Sequence, residues 1–323
     1  MAGEGHGTKA VIAALLANAG IAVAKFVGFI ITGSASMLAE AIHSVADSGN
    51  QGLLLLGGKR ARRRADESHP FGYGRERYFW AFIVALVLFS LGGAFAIFEG
   101  VEKIRHPHEV ESASVAIGIL LFAVVLESYS FRTAIVEANK IRDEAGWWQF
   151  IRRSKNPELP VVLLEDLGAE VGLLIALSAV TTTHITGDPI YDGIGTLSIG
   201  VLLTVIAIVL ATEMKSLLLG ETADPKVQET IRSGIEIEPS VQRLIHLRTQ
   251  HIGPDELLIG AKVAFIDGLS VPELAEAVNR VEATVRAAVP EARVMYIEPD
   301  VVGTGVAPDP FVPGLGRGPE AHE

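Results

Sequence analysis

Residues 34–57 read SASMLAEAIHSVADSGNQGLLLLG. Glu40, His43, Ser44, Asp47, Asn50 and Gln51 recur at steps of three and four, so a helix collects them on one face. The remaining faces are Ala, Met, Ile, Val and Leu. The run is long enough to cross a bilayer, which takes about 20 residues, yet such a polar stripe cannot face lipid. An intramembrane carboxylate is costly unless it is paired, solvated or metal-bound, so Asp47 with a His one turn earlier marks a functional position. At a spacing of four, the His43 imidazole and the Asp47 carboxylate can reach the same cation. The competing reading of that pair is a hydrogen bond that packs helices.

The rest of the chain supplies the setting that such a helix needs. Of the 323 residues 49% are hydrophobic and 20% charged, and the mean hydropathy is +0.38, more apolar than ordinary soluble domains. Further spans are expected at Ala10 to Ile31, Tyr78 to Gly100, Ala113 to Glu137, Leu159 to Thr183 and Pro189 to Thr212, separated by Gly, Pro and charged breaks. With Ser34 to Gly58 this makes about six. The loop after the second span carries Lys59, Arg60, Arg62, Arg63, Arg64, Arg75 and Arg77, and the loop after the fourth carries Lys140, Arg142, Arg152, Arg153 and Lys155. The positive-inside rule therefore puts both termini in the cytoplasm, with the cell (inner) membrane as the expected location. Residues 1–9 read as a short N-terminal stub that is not a cleaved leader. The net charge of −11 comes largely from the C-terminal third and tail while the early loops are basic, so it says little about partners, and nucleic acid is not expected among them. No Cys is present, so any metal is held by nitrogen and oxygen ligands, with no tightly bound cofactor expected.

The fifth span adds Glu165, Asp166 and Glu170 within two turns of an otherwise apolar helix. Asp166 and Glu170 share a face and Glu165 lies about 100° round from Asp166, so at most two of the three suit one site. If this helix lies against the second, His43 and Asp47 meet Asp166 and one neighbouring carboxylate in a four-ligand N/O site that suits zinc and admits manganese, iron or cobalt. Glu165 and Glu170, each taken alone, read equally well as a cap on a neighbouring helix or a step in a proton path. Glu99, Glu102 and Glu127 read as partners of loop or helix cations.

Beyond Met214 the pattern changes. Helices are expected at Pro225 to Ile235 and Val271 to Val289, strands at Val241 to Thr249, Glu256 to Phe265 and Arg293 to Glu298, and Ser270 with Glu273 forms a capping box. The divisions expected are a transport domain over residues 10–213, a small two-layer α+β domain over 214–300, and a Gly- and Pro-rich disordered tail over 301–323.

The second-span segment, HPFGYGRERYFW at 69–80, PVVLLEDLGAEVGL at 160–173, DPIYDGIG at 188–195 and LRTQHIGPDELLIGAKVAF at 247–265 together resemble the cation diffusion facilitator family. Within it they resemble the branch that contains the animal mitochondrial zinc transporter. The resemblance implies a homodimer joined through a ferredoxin-like cytoplasmic domain, six spans per subunit, and exchange of a divalent metal, usually zinc, for protons by alternating access. It places metal-binding and proton-coupling roles on His43, Asp47 and Asp166. Many relatives have a His where this chain has Val162, which leaves Glu165 or Glu170 as the fourth ligand. Accessory metal clusters are thinned: Asp66 and His69 stand in the loop beside Tyr73, and Ala261 and Tyr296 occupy positions often held by His. His246 and His251 lie nearby without a complete ligand set. A channel without proton coupling needs a continuous polar file that these spans lack, and an intramembrane metalloenzyme needs a HExxH pair or a nucleophile with its base.

Overall fold

Our computed structural model describes residues 19–107, 112–142 and 146–300. The expected stub, the start of the first span and the tail from residue 301 lie outside them. The chain divides into two compact units, Met1–Glu221 with His251–Glu256, and Thr222–Gln250 with Leu257–Glu323.

Long apolar helices build the first unit: α1 (Ala19–Thr32), α2 (Ala35–Ala61), α3 (Glu76–Val87), α4 (Phe95–Arg105), α5 (Ala113–Ile141), the short α6 (Trp147–Arg153), α7 (Glu158–Thr186) and α8 (Ile190–Leu219). A π-helical segment, Leu88–Ala94, joins α3 to α4, so the two act as one span. Glu76–Arg105, Ala113–Lys140 and Ile190–Leu219 are each long and apolar enough to cross a membrane by length and composition. Among the described residues, helices also lie at the other expected spans, as α1, α2 and α7, though only the three segments above meet that measure. The last expected span is longer than the sequence suggests, since α8 runs on past Thr212 to Leu219 before Gly220, at φ 105°, ends it.

The joint between α1 and α2 is short because Gly33 adopts φ +64°. Ser34 then caps α2, its Oγ accepting from Met37 N–H. Asp192, buried in the first turn of α8, accepts from Ser34 Oγ and from Ala35 N–H, each at 2.8 Å. An anion at a helix N-terminus meets the positive end of the helix dipole, so α8 fixes where α2 begins. The core of this unit is drawn from α2, α3, α5, α7 and α8, with Met37, Tyr78, Leu88, Leu120, Leu173, Ile199 and Leu203 all buried. Phe98, Phe122, Val125, Val201 and Ile208 are exposed on the outside. An apolar exterior around an apolar core is what a lipid solvent selects.

The second unit contains α9 (Pro225–Glu236), β1 (Val241–Gly253), β2 (Glu256–Phe265), α10 (Val271–Ala288) and β3 (Val294–Asp300) in one three-stranded sheet of order β1-β2-β3. Two residues separate β1 from β2, which makes them a hairpin. The α10 crossover returns β3 parallel to β2, pairing Leu258 with Val294 and Ala261 with Ile297. Ile231 and Ile235 of α9 and Val281 and Val285 of α10 are wholly buried against Leu257, Ile259 and Val263 of β2. The capping box is present: Glu273 accepts from both the backbone N–H and the Oγ of Ser270. The helix, strand, strand, helix, strand order matches the reading from sequence, and this is the two-layer α+β, ferredoxin-like arrangement.

Close packing of α4 on α8 depends on glycine. A methyl at Gly100 would lie 2.5 Å from Leu197 N, and one at Gly200 would lie 2.6 Å from Ile97 N, both against backbone that cannot yield. Gly118 has open space around its Cα. Gly100→Ala and Gly200→Ala are therefore expected to destabilise the protein by about 1–3 kcal/mol, seen as a lower thermal midpoint in detergent, with Gly118→Ala unchanged.

Candidate functional site

The stripe on α2 points inward. Glu40, His43 and Asn50 are wholly buried and Ser44 and Asp47 nearly so, whereas Val45 and Leu55 face out. His43 Nδ1 and Asp47 Oδ1 are 3.4 Å apart. Neither ring nitrogen of His43 has a hydrogen-bond partner, nor do Asp47 Oδ1, Asn50 Oδ1, Gln51 Oε1 or Glu40 Oε1. Such atoms are normally paired in native interiors, and each left unpaired costs about 1–3 kcal/mol. Several of them lie together on one face, around a His and an Asp.

Packing α7 against α2 sorts the three carboxylates of the fifth span. Glu165 is buried, accepts a hydrogen bond from Asn50 Nδ2 and lies within electrostatic range of Asp47. Asp166 is buried beside α5 and accepts from Ser130 Oγ at 3.2 Å. Glu170 accepts from Ser128 Oγ at 2.8 Å and keeps its Oε2 unpartnered. The structure thus brings Glu165, rather than Glu170, to the His43–Asp47 pair, with Asp166 next to Glu165 in sequence but turned toward α5. Among the described residues no three His, Asp or Glu side chains stand close enough together to hold a metal ion.

Two further charges join this cluster. Lys25 of α1 is wholly buried and bonded to Glu40 and Ser44. Glu127 of α5 is buried too, within electrostatic range of Lys25, a helix cation of the kind expected for it, and also of Asp47 and Asp166. Their signal was in plain view, since an ionisable residue inside an apolar span is rarely idle. Glu102 behaves as expected, 2.8 Å from His106 Nδ1.

The accessory positions have structural uses. Asp66 accepts from Ser68 and Tyr73 side chains and from the His69 backbone, which holds its carboxyl well below the usual carboxylate range and makes it the hub of its loop. Ala261 is buried in the β-domain core, Tyr296 is mostly exposed on β3, and His251 is buried with its backbone N–H on the Glu221 carbonyl.

Against known proteins, residues 11–219 match the cation efflux transmembrane domain family. The proton-coupled zinc antiporter SLC30A9, mitochondrial, is 34% identical in Mus musculus over 259 residues, 80% of this chain and 46% of that protein. Its Homo sapiens counterpart is equally similar, and metal tolerance protein C4 of Arabidopsis thaliana is 32% identical over 265 residues, 57% of its length. The chain spans about half the length of these relatives. A solved MamM C-terminal domain is 22% identical over 24% of this chain and 98% of its own, with a TM-score of 0.23.

The different surroundings of Glu165 and Glu170 are separable by titration. Glu165→Gln is expected to weaken divalent-cation binding by roughly tenfold or more, the scale on which removing one group from a metal site acts. Glu170→Gln is expected to change it less than threefold. Calorimetry with zinc, manganese, iron(II) and cobalt on the purified protein reads both, and equal losses would put Glu170 in the site.

Proposed function

Because the chain belongs to the cation efflux family, the cation diffusion facilitators, we propose that it exports a divalent cation, zinc foremost, in exchange for protons, with the exchange site on the facing surfaces of α2 and α7. The observation that carries this reading is the set of unpartnered atoms on α2, both nitrogens of His43 and Oδ1 of Asp47. They are nitrogen and oxygen atoms of ligand type on the inward face of a helix that is otherwise largely apolar. Glu165 and Asp166 supply further oxygens, and zinc accepts such mixed imidazole and carboxylate ligation. His43 is the sole nitrogen donor in this set, so manganese, iron and cobalt are the alternative cargo.

Coupling follows from competition. A cation binds the deprotonated imidazole and carboxylates, and protons bind the same atoms when the cation leaves. The proximity of Asp47 and Glu165 is suited to this role, since neighbouring carboxyls can hold either protons or a cation. A site that opens to one side at a time then converts a proton gradient into cation movement, whereas a channel would conduct without this dependence.

The basic loops after α2 and α5 support a cytoplasmic location, or its topological equivalent, for both termini. We assign the chain to the cell membrane, while the mammalian relatives are named as mitochondrial. The α+β domain is assigned to homodimerisation: Ile237, Val271 and Tyr296 are exposed there although the domain has a full core of its own.

Proteoliposomes with an imposed pH gradient test the proposal. Wild-type protein is expected to take up zinc at a rate that rises with the gradient, and His43→Ala, Asp47→Ala and Asp166→Ala to lose at least about tenfold of it. Uptake by His43→Ala at the wild-type, pH-dependent rate would refute the site.

A further inference from the structure

Lys25 is an ammonium group in the middle of the first span, with no exposed surface. Its Nζ lies 3.1 Å from Glu40 Oε2 and donates to Ser44 Oγ at 2.7 Å. Both partners are on α2, and in the chain they bracket His43. The far oxygen of Glu40 has no partner and lies 2.7 Å from where a Cβ at position 172 would stand, so α7 makes room for this carboxylate by carrying a glycine there. Glu127 of α5 lies within electrostatic range of the same ammonium. The Lys25–Glu40 pair is thus enclosed by α1, α2 and α7, and its charge acts on His43 and Asp47 through space.

A buried pair of this kind is weak evidence for stability, because desolvating two ions offsets most of their attraction. Its position beside the exchange site suggests another use. A site that moves a cation must also let it go, so its affinity has an upper limit. Asp47, Glu165 and Asp166 already provide three carboxyls, and a fourth, Glu40, sits one turn from His43.

We propose that Lys25 is an affinity-setting and positioning residue for the exchange site: an internal cation that neutralises Glu40, ties α1 to the ligand-bearing face of α2, and keeps the bound divalent ion releasable. The inference rests on the cation-exchange reading given above. Removing Lys25 leaves an extra anion beside the site and strengthens cation binding. Removing the charge of Glu40 leaves an extra cation and weakens it. Removing both restores the balance.

The test is zinc titration of full-length purified wild-type protein, Lys25→Met, Glu40→Gln and the double variant, with zinc uptake by each in proteoliposomes. Lys25→Met is expected to lower Kd by roughly tenfold and slow maximal uptake. Glu40→Gln should raise Kd by a similar factor, the scale of one unit charge several ångströms from a divalent ion. The double variant is expected within about threefold of wild type, and Lys25→Arg, which keeps the charge, nearer wild type than Lys25→Met. Both single variants moving Kd in the same direction, or a double variant no better than the worse single, would overturn the proposal, as would a loss confined to the yield of folded protein. If Lys25→Met does not fold, Glu40→Gln still reports the sign, and a Kd that it lowers or leaves unchanged would overturn the proposal. Wild-type protein that binds zinc yet shows no gradient-driven uptake removes the exchange reading while the opposed Kd shifts stay readable. Protein that binds no divalent cation removes both.

Discussion

Lipid cannot solvate a polar side chain, and that constraint shapes everything around α2. A helix carrying Glu40, His43, Ser44, Asp47 and Asn50 on one face must be enclosed by other helices. It is enclosed on several sides: Lys25 of α1 reaches Glu40 and Ser44, Asn50 reaches Glu165 of α7, and Asp192 of α8 holds the first turn. The glycines of α4 and α8 let those two backbones close together. Even the exposed faces obey the constraint, since they are Val, Leu, Ile and Phe.

Within that enclosure, satisfaction is uneven in a telling way. The N-terminal part of the stripe is paired through Lys25, and its C-terminal part through the Asn50–Glu165 bond. Between them His43 and Asp47 keep free donor atoms. A purely structural polar network would close its gaps, because a buried group left unpaired destabilises the fold by an amount comparable with a whole hydrogen bond. The Lys25 and Asn50 bonds hold the two ends of the stripe in shape, while one oxygen each of Glu40, Asn50 and Gln51 stays unpartnered beside His43 and Asp47.

Much of this was legible in the sequence because bilayer thickness and helical period are simple rulers. They located the spans and put Glu40, His43, Ser44, Asp47 and Asn50 on one face without reference to any partner. The small domain was equally readable, since the alternation along Glu256–Phe265 and the Ser270–Glu273 box are local signals. What period alone could not supply was the rotation of α7, which is apolar nearly all round and carries carboxyls on two faces. Packing settled it, sending Glu165 to Asn50 and Asp166 to Ser130. The partner of Lys25, the π-helical segment at Leu88–Ala94 and the short helix Trp147–Arg153 were hidden for the same reason, because each depends on a neighbour distant in sequence or on local geometry without a residue code.

The charges around the site also constrain how it can work. Asp47, Glu165, Asp166, Glu127 and Glu40 are all buried, and Lys25 is the one fully buried Lys or Arg among the described residues. Five ionised carboxylates around one ammonium would be untenable in a low-dielectric interior. The proposed exchange fits that excess of buried acid, because the same carboxyls can take up either a proton or a cation. On that proposal a divalent cation at His43 and Asp47 would add positive charge where the acids crowd. The pairing of Lys25 with Glu40 would then decide how many acids remain for the cargo.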